Sequence, residues 1–211
     1  MSLIQSFPYQ LYLVISEADC KGRNFLDVAE QAILGGVDLI QLREKNASDL
    51  DFLEKAIRLK EITDKHGIPL IINDNVFVAK EIDAFGIHVG NNDVQPTVLR
   101  ENSFKNKMIG YSIEYLEQFE NKETMVSDYL GISPVFRTAT KTDTVTEWGL
   151  EGLMKIRQLT EKPLVAIGNI HFKNAKSVME AGADCIAVVS EICSAENPQK
   201  AAFNLKNKIL K

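Results

Sequence analysis

The sequence predicts an α/β protein, a single (β/α)₈ barrel of the TIM type that spans residues 1–211 as one domain. Short apolar stretches alternate with longer amphipathic ones, eight of each along the chain. The apolar stretches are continuous, which is typical of parallel strands buried on both faces. A helix end, a glycine stop and a strand start recur at 33–40 and 179–186, with a looser third copy at 84–87. A barrel is built from such a repeated unit.

The first half of the chain supplies four predicted strands and four predicted helices. The strands are expected at 11–15, 38–42, 69–72 and 86–89. The helices that follow them are expected at 25–34, 48–65, 76–82 and 97–101. Ser48 is a natural N-cap for the second helix, because its hydroxyl accepts an N–H group of the first turn, and Gly67 marks the end of that helix.

The second half of the chain repeats this pattern. Its strands are expected at 108–111, 129–132, 164–167 and 184–189, and its helices at 115–121, 150–160, 174–181 and 198–209. The alternative to a barrel is a doubly wound open sheet, which uses the same alternation of strands and helices. The barrel is favoured because no Gly-x-Gly-x-x-Gly motif follows the first strand.

Composition and charge exclude several classes of function. The chain has 24 Lys and Arg against 29 Asp and Glu, a formal net charge of −5, whereas nucleic-acid-binding domains tend to be basic. Its apolar stretches are too short to cross a bilayer, and residues 1–8 lack the features of a secretory signal. Cys20, Cys185 and Cys193 form no CxxC pair, which fits a reducing compartment. We expect a cytoplasmic protein that binds neither nucleic acid nor membrane.

Polar residues follow nearly every predicted strand. In a barrel of this kind ligands bind at the carboxyl ends of the strands, and a barrel without a ligand would not require polar groups at each end. They are Gln41 and 43–45 after strand two, Asn73 and Asp74 after strand three, His88 and 90–93 after strand four, Ser112 after strand five, Ser133, Thr138, Thr140 and Lys141 after strand six, Gly168 and Asn169 after strand seven, and Ser190 and Glu191 after strand eight.

Two of these aspartates are candidates for a magnesium site. Asp74 and Asp93 follow adjacent strands, and Mg²⁺ is typically held by one or two carboxylates together with substrate phosphates and water. Taken alone, each aspartate fits a helix cap or loop cap better than a metal site, because capping is the commoner use of such a residue. Arg43, Lys45 and Lys141 are expected on the same face of an acidic protein, which indicates a pyrophosphate ligand. The alternative for the cations of strand two is an ordinary solvated charge run.

The loops after strands seven and eight suggest a second anion site. Small residues at Gly168 and Ser190 allow close approach to backbone N–H groups, and these two loops form the recurrent phosphate site of the fold. The alternative is that both are simply turn and cap residues. The amide of Gln41 can donate and accept at once, which suits an aminopyrimidine or similar heterocycle, or a polar position in the barrel interior. His88 is expected to order the loop after strand four rather than to act as a base.

Seven motifs, taken together, resemble those of the thiamine phosphate synthase family. The resemblance covers about residues 11–203, and each motif follows its own predicted strand in the expected order. The motifs are Gln41-Leu42-Arg43-Glu44-Lys45, Ile72-Asn73-Asp74, His88-Val89-Gly90 with Asp93, Gly110-Tyr111-Ser112, Pro134-Val135-Phe136 with Thr138-Ala139-Thr140-Lys141, Ala166-Ile167-Gly168, and Val188-Val189-Ser190.

The resemblance implies an enzyme that couples 4-amino-2-methyl-5-(pyrophosphooxymethyl)pyrimidine with a thiazole phosphate. The products would be thiamine phosphate and pyrophosphate, formed by a dissociative, Mg²⁺-assisted substitution. The pyrimidine pyrophosphate would be bound by Gln41, Arg43, Glu44, Lys45, Asn73, Ser112 and Lys141, with Arg43, Lys45 and Lys141 stabilising the leaving group. Asp74 and Asp93 would hold the metal. The thiazole phosphate would be bound by Thr138, Thr140, Gly168, Asn169, Val189 and Ser190.

The chain departs from the family pattern at a few positions. Asn169 stands where a second glycine is usual, Ser133 where a glycine precedes the proline, and Ile113 where a histidine is common. One alternative is a thiazole tautomerase-like isomerase, although the histidine expected before Val-Phe in that branch is replaced by Ser133 and Pro134. Another is a non-catalytic barrel that binds a phosphate ligand. The sequence is compatible with a homo-oligomer and leaves the oligomeric state open.

Overall fold

A closed barrel of eight parallel strands lies at the centre of the molecule. The structure is a computed structural model that describes residues 7–137 and 146–210. Each strand pairs with the next in chain order, and β8 closes on β1. This confirms the predicted (β/α)₈ class over the doubly wound sheet. The strands are β1 Leu11–Ile15, β2 Leu39–Leu42, β3 Leu70–Asn73, β4 Gly86–Val89, β5 Met108–Ile113, β6 Tyr129–Ile132, β7 Leu164–Ile167 and β8 Cys185–Val188.

Helices surround the barrel. In the described part of the chain they are α1 Phe25–Leu34, α2 Asp49–His66, α3 Val76–Glu81, α4 Pro96–Asn102, α5 Lys122–Val126, α6 Gly149–Leu159, α7 Ala175–Glu180, α8 Ser190–Cys193 and α9 Pro198–Ile209, with 3₁₀-helices at Ala18–Cys20 and Leu116–Glu120. The ring closes where α9 packs against α1. No helix in these described ranges is both long and apolar enough to cross a bilayer.

The ends of most elements agree with the prediction to within two residues. Ser48 caps α2 by accepting the N–H of Asp51, and Gly67 ends that helix in the left-handed region, as predicted. The helix predicted at 115–121 is the 3₁₀-helix Leu116–Glu120; Asn121 is its C-cap and also the N-cap of a separate helix α5, which the prediction missed. The short helix α8 was not predicted.

Strand side chains alternate between the barrel interior and the surrounding helices. From β1, Tyr12 and Val14 belong to the inner cluster, while Leu11, Leu13 and Ile15 pack outward beneath the helices. Both faces are therefore buried, which explains the continuous apolar strands of the sequence. Cys185 belongs to the inner cluster, and burial raises the pKa of its thiol well above the ordinary value, which keeps the thiol protonated.

An aspartate directly before the strand is shared by the two closest copies of the sequence repeat, and Asp128 stands at the same position before β6. Asp38, Asp128 and Asp184 directly precede β2, β6 and β8, and each accepts a backbone N–H from the start of the preceding strand. Each also pairs with a basic side chain of an outer helix, which is Lys206, Arg100 or Arg157 respectively. The looser third copy has Phe85 at the equivalent position and so lacks this bond. The repeat thus encodes a link between adjacent strands and the helix layer.

We expect Asp128→Ala to lower the free energy of unfolding by about 2 kcal/mol, because it leaves the N–H of Ile109 without its acceptor and Arg100 without its counter-charge. The matched control is Asp64→Ala, which breaks an exposed pair with Lys60 inside α2 and should cost less than about 0.5 kcal/mol. Denaturant titration of both variants measures the difference. Equal losses would contradict the role assigned to Asp128.

Candidate active site

A cavity of about 150 Å³ opens at the carboxyl end of the barrel, and we call it the barrel-mouth cavity. Seven residues predicted from the sequence line it together. They are Gln41, Arg43 and Lys45 from β2 and its loop, Asn73 and Asp74 from β3, Asp93 from the loop after β4, and Ser112 from β5. The carboxyl ends of four neighbouring strands therefore bring the predicted pyrophosphate and metal residues into one place.

Glu44 is not brought to this cavity. Its carboxylate accepts the backbone N–H of Glu17 at 2.7 Å and pairs with Lys55 at 3.1 Å. It lines a second cavity of about 750 Å³ between the loops after β1 and β2 and helix α2, which we call the lateral cavity. Arg43 and Lys45 lie at the boundary and line both cavities. Glu44 thus ties the loop after β2 to its surroundings instead of facing the other predicted ligands.

Asp74 and Asp93 face each other at the barrel mouth. Burial and the neighbouring carboxyl of Asp93 raise the pKa of Asp74 to about 6, although Lys45, at 3.4 Å, acts in the opposite direction. Asp74 has a φ of 58°, in the left-handed region, and accepts a hydrogen bond from the amide of Asn73 at 2.5 Å. Two carboxyls that repel each other in a partly buried site are the arrangement that a divalent cation stabilises.

The alternative role for the two aspartates, as caps of a helix or a loop, applies to Asp93 but not to Asp74. Helix α3 is capped by Asn75, whose side chain accepts the N–H of Val78, so Asp74 is not its N-cap. Asp93 does cap a loop, since it accepts the N–H of Gly90 at 2.8 Å. Within the described ranges no group of three or more His, Cys, Asp or Glu side chains is placed to hold a metal. A cation at this pair would therefore need phosphate oxygens and water to complete its shell.

Arg43 differs from the structural arginines of the barrel. Arg23, Arg100 and Arg157 donate to backbone carbonyl groups and hold loops together. The guanidinium of Arg43 makes no hydrogen bond or ion pair with any residue in the described part of the chain. The backbone N–H of Arg43 donates to the carbonyl oxygen of Ile15. A planar cation without a protein partner at the mouth of an acidic protein suits an incoming phosphate group.

The prediction for His88 was that it orders the loop after β4, whereas the side-chain bonds described for it run to β5 and β6 inside the barrel. Its ring nitrogens lie 3.0 Å from the hydroxyl of Ser112 and 3.0 Å from the hydroxyl of Tyr129. Tyr129 in turn lies 3.1 Å from the hydroxyl of Tyr12, which accepts the side-chain N–H of Gln41 at 2.8 Å. The prediction missed both tyrosines, because they stand within continuous apolar strands.

Of the residues predicted to bind the thiazole phosphate, the four in the described part of the chain, Gly168, Asn169, Val189 and Ser190, follow β7 and β8 and do not line the barrel-mouth cavity. Gly168 has a φ of 114°, and a Cβ there would come within 2.6 Å of Pro134, so only glycine fits. Asn169 has a φ of 49°, a left-handed conformation that asparagine tolerates better than most residues. Val189 precedes α8 and Ser190 is its first residue. Thr138, Thr140 and Lys141 lie outside the described residues.

Comparison with known proteins identifies the family. A family model described as thiamine monophosphate synthase matches residues 11–192. The chain belongs to this family. It is 46% identical over 200 residues to the thiamine-phosphate synthase of Albidiferax ferrireducens, covering 95% of this chain and 91% of that protein. It is 42% identical over 206 residues to that of Chloroflexus aurantiacus, covering 98% and 95%.

A solved structure of the same family has the same fold. The thiamine phosphate pyrophosphorylase from Pyrococcus furiosus superimposes with a TM-score of 0.87 at 33% identity and covers 96% of both chains. The family predicted from the seven motifs is therefore confirmed. The comparisons do not test the roles of individual residues, which stay predictions supported by the geometry of the site.

Proposed function

We propose that the protein is a thiamine phosphate synthase, a transferase that joins 4-amino-2-methyl-5-(pyrophosphooxymethyl)pyrimidine to a thiazole phosphate and releases pyrophosphate. The observation that carries this proposal is near-full-length identity of 42–46% to proteins named thiamine-phosphate synthase. The free, buried cysteines fit the cytoplasmic location that we propose with it. The barrel-mouth cavity supplies the chemistry that the reaction needs.

The pyrophosphate group fits the cationic side of the barrel mouth. Arg43 offers a fork of N–H donors with no protein partner in the described ranges, and Lys45 adds a charge next to Asp74. Asp74 and Asp93 fit a Mg²⁺ ion, because a divalent cation would relieve the repulsion that raises the pKa of Asp74. When bound, Mg²⁺ would neutralise negative charge on the pyrophosphate.

The chemical step breaks the bond between the pyrimidine methylene carbon and the bridging oxygen. The electron pair leaves with pyrophosphate, the electron-rich aminopyrimidine stabilises the methylene cation, and the thiazole nitrogen then attacks. Arg43, Lys45 and Lys141 neutralise the charge that develops on the leaving oxygen, while Gln41 and Ser112 orient the ring. The coupling transfers no proton at the reacting carbon, so the protein needs neither a general base nor a nucleophile.

The walls of the cavity protect the cation from water. Val165, Ile167 and Ala187 from β7 and β8 line the side of the cavity opposite the charged residues of β2 and β3. An apolar wall lowers the local water content, and water would compete with the thiazole nitrogen for the methylene carbon. The loops that follow these two strands, with Gly168, Asn169, Val189 and Ser190, are proposed to hold the thiazole phosphate beside that wall.

We expect Lys141→Ala to weaken binding of the pyrimidine pyrophosphate by about 10- to 100-fold, because it removes a charge-assisted contact to the leaving group. Binding of the thiazole phosphate should change less than about threefold. Titration calorimetry with each ligand measures both values. Lys105→Ala, an exposed lysine in the loop between α4 and β5, is the control and should leave both unchanged. Equal losses for the two ligands would contradict the assignment of Lys141.

Omission of single substrates tests the proposed function. The purified protein is incubated with Mg²⁺ and both substrates, or with either one alone, and products are identified by mass spectrometry. We expect thiamine phosphate and an equal amount of pyrophosphate only when both substrates are present. Isomerisation of a thiazole phosphate alone would show a tautomerase-like enzyme, and binding without any product would show a non-catalytic barrel; either result would overturn the proposal.

A further inference from the structure

Five polar side chains form one continuous line of hydrogen bonds through the barrel interior, which we call the relay. They come from five different strands and stand in the order Gln41, Tyr12, Tyr129, His88 and Ser112. The two tyrosines are 1% and 0% exposed, so water does not replace their bonds. Gln41 and Ser112, the two ends of the relay, both line the barrel-mouth cavity.

The hydrogen atoms of the relay can be placed in one consistent direction. Burial raises the pKa of both tyrosines, so each phenol keeps its O–H group. Gln41 donates to Tyr12, Tyr12 donates to Tyr129, and Tyr129 donates to Nδ1 of His88. Nε2–H of His88 then donates to Ser112. In this direction Gln41 presents its carbonyl oxygen to the cavity, and Ser112 presents its O–H.

The opposite direction requires every bond to reverse together. Ser112 would donate to His88, His88 to Tyr129, Tyr129 to Tyr12, and Tyr12 to the carbonyl oxygen of a rotated Gln41 amide. Gln41 would then present N–H donors to the cavity, and Ser112 would present an acceptor. A relay reversed only in part leaves a buried O–H without an acceptor, and such a group is disfavoured.

We propose that the relay couples the amide of Gln41 to the hydroxyl of Ser112 and thereby selects a 4-aminopyrimidine over a 4-oxopyrimidine. This inference rests on the proposed function, in which these two residues hold the pyrimidine. The edge of a 4-aminopyrimidine offers an N–H donor beside a ring nitrogen that accepts. The edge of a 4-oxopyrimidine offers the reverse pair. The direction in which Gln41 donates to Tyr12 matches the amino form at both positions.

The barrel is built to seat His88 in the middle of this line. A Cβ at Gly110 would lie 2.2 Å from the ring of Tyr129 and 2.4 Å from Nδ1 of His88. A Cβ at Gly131 would lie 2.9 Å from Cε1 of His88. Glycine weakens the interior of a strand, so two of them around one imidazole are costly to a structure that needs only apolar filling. Their presence is explained if the imidazole must link Tyr129 to Ser112.

The test compares binding of the two pyrimidine pyrophosphates, the 4-amino compound and its 4-oxo analogue, to the full-length protein without thiazole phosphate. The wild-type protein should prefer the amino form by about 100-fold, because the oxo form meets the wrong partner at both ends. Tyr12→Phe and Tyr129→Phe each remove one oxygen and keep the ring. Either change uncouples the ends, so the preference should fall to about 10-fold or less.

Tyr9→Phe is the matched control, because Tyr9 packs against the same inner cluster but lies outside the relay. It should leave the preference unchanged. Weaker binding of both ligands with an unaltered preference in Tyr12→Phe and Tyr129→Phe would indicate a purely structural role and overturn the relay. A wild-type protein that binds neither compound would instead overturn the proposed function, so the two failures are distinguishable.

A second measurement on the wild-type protein does not depend on the variants folding. With ¹⁵N-labelled histidine, the ring of His88 should show a protonated Nε2 and an unprotonated Nδ1 in the complex with the amino compound. The labelled rings of His66 and His171 serve as references. A protonated Nδ1 in that complex would overturn the proposed direction of the relay.

Discussion

Asp74→Asn is expected to make the protein more stable and nearly inactive. Turnover should fall by about 10²- to 10³-fold, because the change removes one of two carboxylates proposed to hold the metal at the leaving group. The melting temperature at pH 7.5 should rise by about 2–5 °C, because the variant no longer ionises a partly buried carboxyl that faces Asp93. A residue selected only for stability would not behave in this way.

The pH dependence of this effect has a defined sign. The pKa of Asp74 is about 6 in the folded protein and 3.8 ordinarily, so the folded state holds the proton more tightly. The contribution of the Asp74 carboxyl to the free energy of unfolding is fully present below about pH 4 and is lost as the pH rises through 6. Wild type and Asp74→Asn should therefore melt alike near pH 4 and diverge above pH 6, with the variant higher.

Added Mg²⁺ should reverse the order of the two melting temperatures, so that the wild type melts higher than Asp74→Asn. An ion that binds only the folded state raises the melting temperature, so Mg²⁺ should stabilise the wild type and leave Asp74→Asn unchanged. Asp64→Asn, in an exposed pair on α2, is the control and should respond to Mg²⁺ like the wild type. Full Mg²⁺-dependent activity in Asp74→Asn would remove Asp74 from the metal site.

Arg43→Ala should lower kcat/KM by about 10²- to 10³-fold, because it removes the two charge-assisted hydrogen bonds that we propose Arg43 makes to the pyrophosphate. The melting temperature should not fall, since the guanidinium has no partner in the described part of the protein. Arg43→Lys should recover only part of the loss, because an ammonium group cannot replace the planar fork.

Arg58→Ala provides the matched control for Arg43. Both arginines line the lateral cavity, but only Arg43 also lines the barrel-mouth cavity. Steady-state kinetics should show a change below about twofold for Arg58→Ala, which is the size expected for a solvated surface charge. Comparable losses in the two variants would place the pyrophosphate in the lateral cavity instead.

The fold was predictable because each of its elements is encoded locally. A continuous apolar strand, the N-cap at Ser48 and the left-handed stop at Gly67 each act on residues only a few positions away in the sequence. The omission of α5 has the same local origin. Asn121 ends the 3₁₀-helix and also begins α5, where its side chain accepts the N–H of Thr124, so the sequence signals of the two helices overlap at one residue.

The site was predicted in part, because order along the chain does not give the direction of a side chain. Gln41, Arg43 and Lys45 stand at alternate positions, so their side chains lie on the same side of the chain and line the barrel-mouth cavity. Glu44 lies on the other side and pairs with Lys55. The alternation of side chains along a strand would by itself have predicted that Glu44 faces away from the other three residues. It would also have placed Tyr12 inside the barrel, although not its bond to Tyr129 from a strand that is 117 positions away.

The most direct test of the account is a crystal structure with the pyrimidine pyrophosphate and with Mn²⁺ in place of Mg²⁺, in which an anomalous difference map locates the metal. We predict a metal within about 2.2 Å of carboxylate oxygens of both Asp74 and Asp93, with the pyrophosphate against Arg43. A metal in the lateral cavity beside Glu17 and Glu44, with the barrel mouth empty, would contradict the assignment of the active site.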